Sequence, residues 1–260
     1  MTYTPELLQK IKEVIDSGYY QRLAPALRER KSLCERIEAL QNEGEIAIIS
    51  QISTAIPNVG LLMPSRKYAS ELIDRLANSY NLCALDLWIE PREHAGDLRW
   101  LAKDLSIPII HNDWIIDPRQ IVGADAVVLD ISLINYASVD LHELIDCAHE
   151  KDIEVIAQIK NEDEMSDAKK SEADCIMINN FGMTQVNADV KTTIEALERN
   201  GTGRPVISAY GIKSAKDVRA LVAKGVGAIE IEAQICCNGS FEKRVSLVRS
   251  ALKGKEAHEN

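Results

Sequence analysis

Eight short apolar runs rich in β-branched residues alternate with amphipathic stretches along this chain, and this alternation constrains its fold more than any other feature. The runs cover residues 46–50, 84–88, 108–111, 126–131, 155–159, 175–179, 206–209 and 228–231. The amphipathic stretches cover 65–80, 96–105, 141–151, 162–171, 190–199, 214–224 and 241–252. In one of them Leu141, Leu144, Ile145 and Ala148 recur at the spacing of a single buried helix face. Ser214 stands just ahead of another, where its hydroxyl can cap the first turn. A helix between two strands returns the chain to the starting edge, so such units pair their strands in parallel. Eight of them suggest closure, and 260 residues is near the roughly 250 typical of a (β/α)8 barrel. The expectation is an α/β fold: a (β/α)8 TIM barrel over 46–260, with residues 1–45 as a helical extension packed on it. Only Val122-Gly123-Ala124-Asp125 separates Ile121 from Ala126. The third helix should therefore shrink to a stub after Pro118, leaving a loosened wall or an interface there.

Composition narrows the function classes. An apolar fraction of 46% can fill a sizeable core. A net charge of −10 argues against nucleic acid and anionic membrane surfaces as partners. No apolar run reaches the roughly 18 residues of a membrane span, and Met1-Thr2-Tyr3-Thr4-Pro5-Glu6 does not read as a secretory leader. The cysteines Cys34, Cys83, Cys147, Cys175, Cys236 and Cys237 form no CxxC pair. They read as free thiols in a reducing cytoplasm, with no metal site.

Residues Ile107-Pro108-Ile109-Ile110-His111-Asn112-Asp113-Trp114-Ile115-Ile116-Asp117-Pro118-Arg119-Gln120-Ile121 carry a more specific message. This stretch resembles the third strand and following loop of indole-3-glycerol phosphate synthase, roughly I-P-V-L-R-K-D-F-I-I-D-P-Y-Q-I. The run from Ile48 to Gly60 resembles the family's first-strand motif I-I-A-E-I-K-R-A-S-P-S-K-G. Glu90-Pro91 with Gly96 follows its second-strand motif. Gly123-Ala124-Asp125-Ala126-Val127-Val128-Leu129 resembles G-A-D-A-V-L-L, Ile178-Asn179-Asn180 the I-N-N of strand six, and Gly211-Ile212 the G-I after strand seven. The ordered resemblance spans about residues 33–254 and implies the same barrel.

The resemblance also implies where the family's working residues fall. Its general-acid lysine falls on Asn112 and its general-base glutamate on Gln158. The first-strand glutamate and lysine fall on Gln51 and Ser53. The strand-seven serine falls on Tyr210, the glutamate before it on Ala209, and the arginine after I-N-N on Phe181; the strand-six asparagine persists as Asn179. The phosphate-holding serine of S-P-S falls on Ile56, and the strand-eight glycine and serine fall on Glu232 and Ala233, while Gly211 is kept. An amide cannot supply the proton that an ammonium supplies. A carboxylate in a phosphate cup is repulsive, by about 4 kcal/mol at 4 Å and an effective dielectric constant of 20.

Strand alternation in the family's register places Asp86, Trp88, Asp130, Ser132, Gln158, Lys160, Asn179, Ser208, Tyr210, Glu230 and Glu232 on the inward or upper face. Buried carboxylates need a partner or a raised pKa, and Lys160 is a counter-ion within reach. The candidate catalytic residues are Glu230, Lys160, Asp130 and Tyr210. The candidate ligand-binding residues are Gln51, Trp88, His94, Asn112, Gln158, Asn179, Ser208 and Glu232. His111 is expected to point outward. His94 with Asp86 and Glu230 or Glu232 lacks metal-ligand spacing, so neither metal nor cofactor is expected. Three readings follow. The first is a barrel repurposed to bind or convert a different small molecule at its C-terminal mouth, with a lyase or cyclase step by fold analogy. The second is a non-catalytic barrel docking with itself or with a biosynthetic enzyme. The third is a true synthase using substituted residues, with Lys160 and Glu230 as its acid/base pair.

Overall fold

The computed structural model describes residues 3–23, 29–57, 59–96, 98–99, 104–181, 187–198 and 201–253. Eight parallel strands close into a barrel: β1 (Ala47–Ile52), β2 (Ala84–Trp88), β3 (Ile109–Asn112), β4 (Ala126–Asp130), β5 (Glu154–Ile159), β6 (Cys175–Asn179), β7 (Val206–Ala209) and β8 (Ala228–Ile231), with β8 pairing back onto β1. The strands are buried on both faces. That is why they read as near-continuous apolar runs rather than as alternating ones.

The described helices are α1 (Pro5–Asp16), α2 (Leu33–Asn42), α3 (Arg66–Ser79), α4 (Ile131–Ala137), α5 (Leu141–His149), α6 (Glu162–Lys170), α7 (Lys191–Glu198), α8 (Ala215–Ala223), α9 (Ala233–Cys237) and α10 (Phe241–Lys253). Helix α8 starts on a capping box between Ser214 and Asp217, as the sequence led us to expect of Ser214. Leu144, Ile145 and Ala148 form the buried face of α5. The stretch 96–105 lies largely outside the described residues. Two short helices were not foreseen: α4, capped by the Asp130 side chain, and α9, which follows Glu232 at once. Among the described residues no helix is long and apolar enough to cross a membrane.

Between β3 and β4 the chain makes only a 3-10 turn, Pro118–Gln120. The wall there is closed by the N-terminal segment. Ile11, Val14 and Ile15 of α1 and the buried Tyr20 pack with Trp114, Ile116 and Leu133. The Tyr20 hydroxyl donates to Asp113 Oδ2 at 3.0 Å and accepts from Gln120 Nε2 at 3.2 Å. Helix α2 closes the opposite, N-terminal end. Its Leu33 and Ile37 are wholly buried against Ala47, Ile49 and Cys83. Glu154 accepts from the Leu33 and Cys34 amides at 2.7 and 3.2 Å, placing a negative charge at the helix N-terminus where the dipole favours it. Gly227 permits this approach: a β-carbon there would lie 2.6 Å from Gln41 and 2.7 Å from Ile37.

Candidate functional site

With α2 plugging the N-terminal end, the interior opens toward the C-terminal ends of the strands. A cavity of about 510 Å³ lies there, within the size range of small-molecule sites. Its walls include Gln51, Trp88, His94, Asn112, Asp130, Gln158, Lys160, Asn179, Tyr210 and Glu232. Ten of the twelve candidates named from the sequence are therefore brought together. Glu230 lies just beneath, wholly buried, and Ser208 lies elsewhere.

One wall is built by β4 and β5. Asp130 Oδ2 receives the Lys160 ammonium at 2.6 Å and the Gln158 amide at 3.0 Å, and its Oδ1 caps α4 through the Leu133 amide at 3.2 Å. Tyr3, from the residue pair ahead of α1, completes the group. Its hydroxyl donates to Asp130 and accepts from Lys160, whose ammonium lies 4.4 Å from the ring centre. Lys160 thus pairs with Asp130, while Glu230, named with it as an acid/base pair, lies apart beside Gln51 and Asp86. Gln158 Oε1 accepts weakly from Asn179 at 3.4 Å, and Asn179 Oδ1 accepts from the Phe181 amide at 3.0 Å.

The opposite side holds two carboxyl groups with no Lys or Arg ion pair among the described residues. Asp86 and Glu230 are wholly buried, on the two strands that flank β1, with Gln51 between them. Asp86 Oδ2 accepts from Asn112 Nδ2 at 2.8 Å. The Gln51 amide reaches the Tyr210 hydroxyl at 2.5 Å and Glu230 Oε1 at 3.5 Å. The remaining oxygens, Asp86 Oδ1 and Glu230 Oε2, are buried without a hydrogen-bond partner. The two carboxyls lie close enough for each to perturb the other. Burial pushes Asp86 up to about 6; burial, with the Asp86 charge beside it, holds Glu230 well above the ordinary carboxyl range. Burial also raises Tyr210 well above a normal phenol.

Tyr210 explains why Ser208 was misplaced. It has a left-handed φ of 70°, uncommon for a residue with a side chain. Two backbone bonds hold it there: its amide to Glu230 O at 3.0 Å and its carbonyl from Asn180 Nδ2 at 3.1 Å. The kink breaks the alternation, so Ala209 and Tyr210 both join the interior cluster. Ser208 then faces outward, 2.9 Å from both Asn180 Nδ2 and the Thr193 hydroxyl.

A third wall is aromatic. Trp88 and His94 stack at 3.8 Å with their planes 10° apart, and Trp114 meets both edge-on. His94 Nδ1 lies 2.9 Å from the Ser53 hydroxyl, and burial pushes its pKa down to about 4, keeping the ring neutral near pH 7. The Phe181 ring lies 5.2 Å from Tyr210. Ile56, Pro57 and the exposed Val59 add an apolar rim. His111 is buried with neither ring nitrogen hydrogen-bonded and does not line the cavity. Among the described residues no group of three or more His, Cys, Asp or Glu side chains could hold a metal ion.

Sequence reasoning missed Tyr3 and Phe181 as cavity residues. Thr4 caps α1 through the Leu7 amide at 3.2 Å, and Thr4-Pro5 is a readable helix start that leaves Tyr3 just outside it. Nothing local says which end of the barrel that tyrosine will meet.

Last, Gly211, with φ 81°, presents its backbone amide to Glu232 Oε1 at 3.0 Å. A β-carbon at Gly211 would press on the Ala188 backbone at 3.0 Å, so the turn is tight.

Comparison with known proteins agrees with this architecture. A family model described as indole-3-glycerol phosphate synthase matches residues 5–247. The indole-3-glycerol phosphate synthase of Staphylococcus aureus (strain Newman) is 27% identical over 253 residues, covering 93% of this chain and 95% of that protein. Among solved structures, the tryptophan synthase alpha chain from Legionella pneumophila subsp. pneumophila superposes with a TM-score of 0.59 at 12% identity, over 86% of this chain and 98% of that one. The N-acetylmannosamine-6-phosphate 2-epimerase from Clostridium perfringens does so with a TM-score of 0.58 at 14% identity, over 84% and 97%. At such identities the two structures share the fold alone. By its family match over nearly its whole length, the chain belongs to the indole-3-glycerol phosphate synthase family.

Proposed function

We propose that this member of the family has exchanged the phosphorylated-substrate site for a cavity that takes an unphosphorylated small molecule. The observation that carries this reading is the Gly211 amide donating to Glu232 Oε1 at 3.0 Å. A backbone amide at this turn is what a phosphate oxygen would use. Here the protein's own carboxylate holds it, and that carboxylate repels a phosphate.

The acid and base positions support the same reading. Asn112 and Gln158 stand where the resemblance puts the general acid and general base. Both spend their amide N–H groups on carboxylates, Asp86 and Asp130. Neither can take or give a proton at neutral pH. The open cavity favours a ligand site over a purely structural barrel, whose mouth would have filled in. If the ligand is converted, a lyase or cyclase step is the chemistry suggested by fold analogy. We assign the protein to the cytoplasm, in keeping with its six free cysteines.

The test is calorimetric titration of the family's substrate, carboxyphenylamino-deoxyribulose phosphate, and of inorganic phosphate. Neither should bind the native protein in the low millimolar range, and Glu232→Gly should gain phosphate affinity. Saturable binding of the substrate by the native protein would overturn the reading.

A further inference from the structure

We propose that the ligand of this cavity is an organic cation: a protonated amine on a flat, largely apolar body. This rests on the reading that the cavity is not a phosphate site, and it adds the sign of the charge.

The sign follows from the fixed charges. Lys160 is the one Lys or Arg among the described cavity residues, and its ammonium is neutralised by Asp130 at 2.6 Å. Glu232 and Asp113 also line the cavity, with no Lys or Arg ion pair to either among the described residues. Glu232 is half-buried, and its carboxylate takes the Gly211 amide. Asp113 takes the Tyr20 hydroxyl and the Trp114 amide, donors that carry no net charge, with buried His111 Nε2 3.7 Å away. A low-dielectric pocket focuses such a field, and an anion would meet it unscreened.

The body of the ligand follows from the surfaces. Trp88, Trp114, Phe181 and Tyr210 line the cavity with aromatic rings, and Ile56, Pro57 and Val59 make the rim apolar. Aromatic faces attract cations as well as flat apolar groups. The amide nitrogens of Gln51, Asn112 and Gln158 each already donate to a neighbouring oxygen. A cation with a planar body is the ligand for which both the charge and the walls are favourable.

Tryptamine and indole-3-propionate have the same ring and opposite charge, and both would be titrated into the native protein by calorimetry. Tryptamine should bind at least tenfold more tightly. Glu232→Gln should weaken tryptamine about fivefold to tenfold and tighten the propionate, narrowing the gap between them. A second measurement needs no chosen ligand. In a Trp100→Phe background, Trp88 and Trp114 are the remaining tryptophans; with each quenching constant divided by that for free N-acetyltryptophanamide, caesium should quench them more efficiently than iodide. Propionate binding as tight as tryptamine, or a normalised iodide constant equal to that of caesium, would overturn the proposal. Either result with phosphate still excluded would sink the cation reading and leave the phosphate-free site standing. Saturable binding of the phosphorylated substrate would remove the foundation of both.

Discussion

The two sides of the barrel mouth hold the same dangerous object, a buried carboxyl group, and solve it differently. On the β4–β5 side Asp130 is met by the Lys160 ammonium, Gln158 and Tyr3. On the β1–β2–β8 side Asp86 and Glu230 have amide and phenol neighbours but no cation among the described residues, and burial favours a proton in its place. Removing two charges from water costs several kcal/mol per ion, so each carboxylate must be paired or neutralised. The first solution brings in a charge from another residue, and the second takes a proton from solvent.

The largest expected effect comes from breaking the first solution. Lys160→Met leaves Asp130 buried without its cation and should cost about 3–5 kcal/mol in urea unfolding. Adding Asp130→Asn to that variant should recover part of the loss; no recovery would mean that Lys160 acts through packing and not through charge. Next comes the pH dependence of the other side. Asp86 and Glu230 have pKa values raised above their unfolded values, so their favourable contribution is complete below about pH 4 and is lost as pH rises. For Asp86 that window closes near 6, and for Glu230 it extends further. Stability measured from pH 5 to 8 should therefore fall for this pair, and Glu230→Gln should flatten the fall. An equal slope in the variant would contradict the raised pKa of Glu230. His94 has the opposite sign. Its depressed pKa gives stability that is full above about 6.5 and lost as pH falls toward 4, so the comparison is cleanest above pH 6.5.

Two smaller effects sharpen the contrast. Tyr3→Phe removes a hydroxyl bonded to a charged pair and should cost about 1.5 kcal/mol, with tighter dependence of the loss on Lys160 than on Glu230 in double-mutant cycles. Ser208→Ala, on the outward face, should cost about 1 kcal/mol and leave tryptamine binding unchanged. A change in binding there would mean that the left-handed turn at Tyr210 is wrongly placed.

The eightfold alternation and the missing third helix were legible because strand and helix periodicity are local properties of the chain. The Asp130–Lys160 pair was half legible, since strand register put both residues on one face. Three things were not. Strict alternation would turn Ser208 inward, whereas Tyr210 takes a backbone angle that no side-chain pattern announces. Tyr3 reaches Asp130 across 127 positions of sequence, a contact that only packing of α1 decides. The mutual influence of Asp86 and Glu230 belongs to two strands separated by β1, and neither residue advertises the other.

The most direct test of the central claim is to incubate the purified protein with carboxyphenylamino-deoxyribulose phosphate and follow indole fluorescence. With amides at the acid and base positions and Glu232 on the Gly211 amide, no turnover above background is expected. Sustained indole formation, abolished by Glu232→Lys or by Lys160→Met at retained fold, would show that the ancestral chemistry survives on a rebuilt acid and base and would contradict the account.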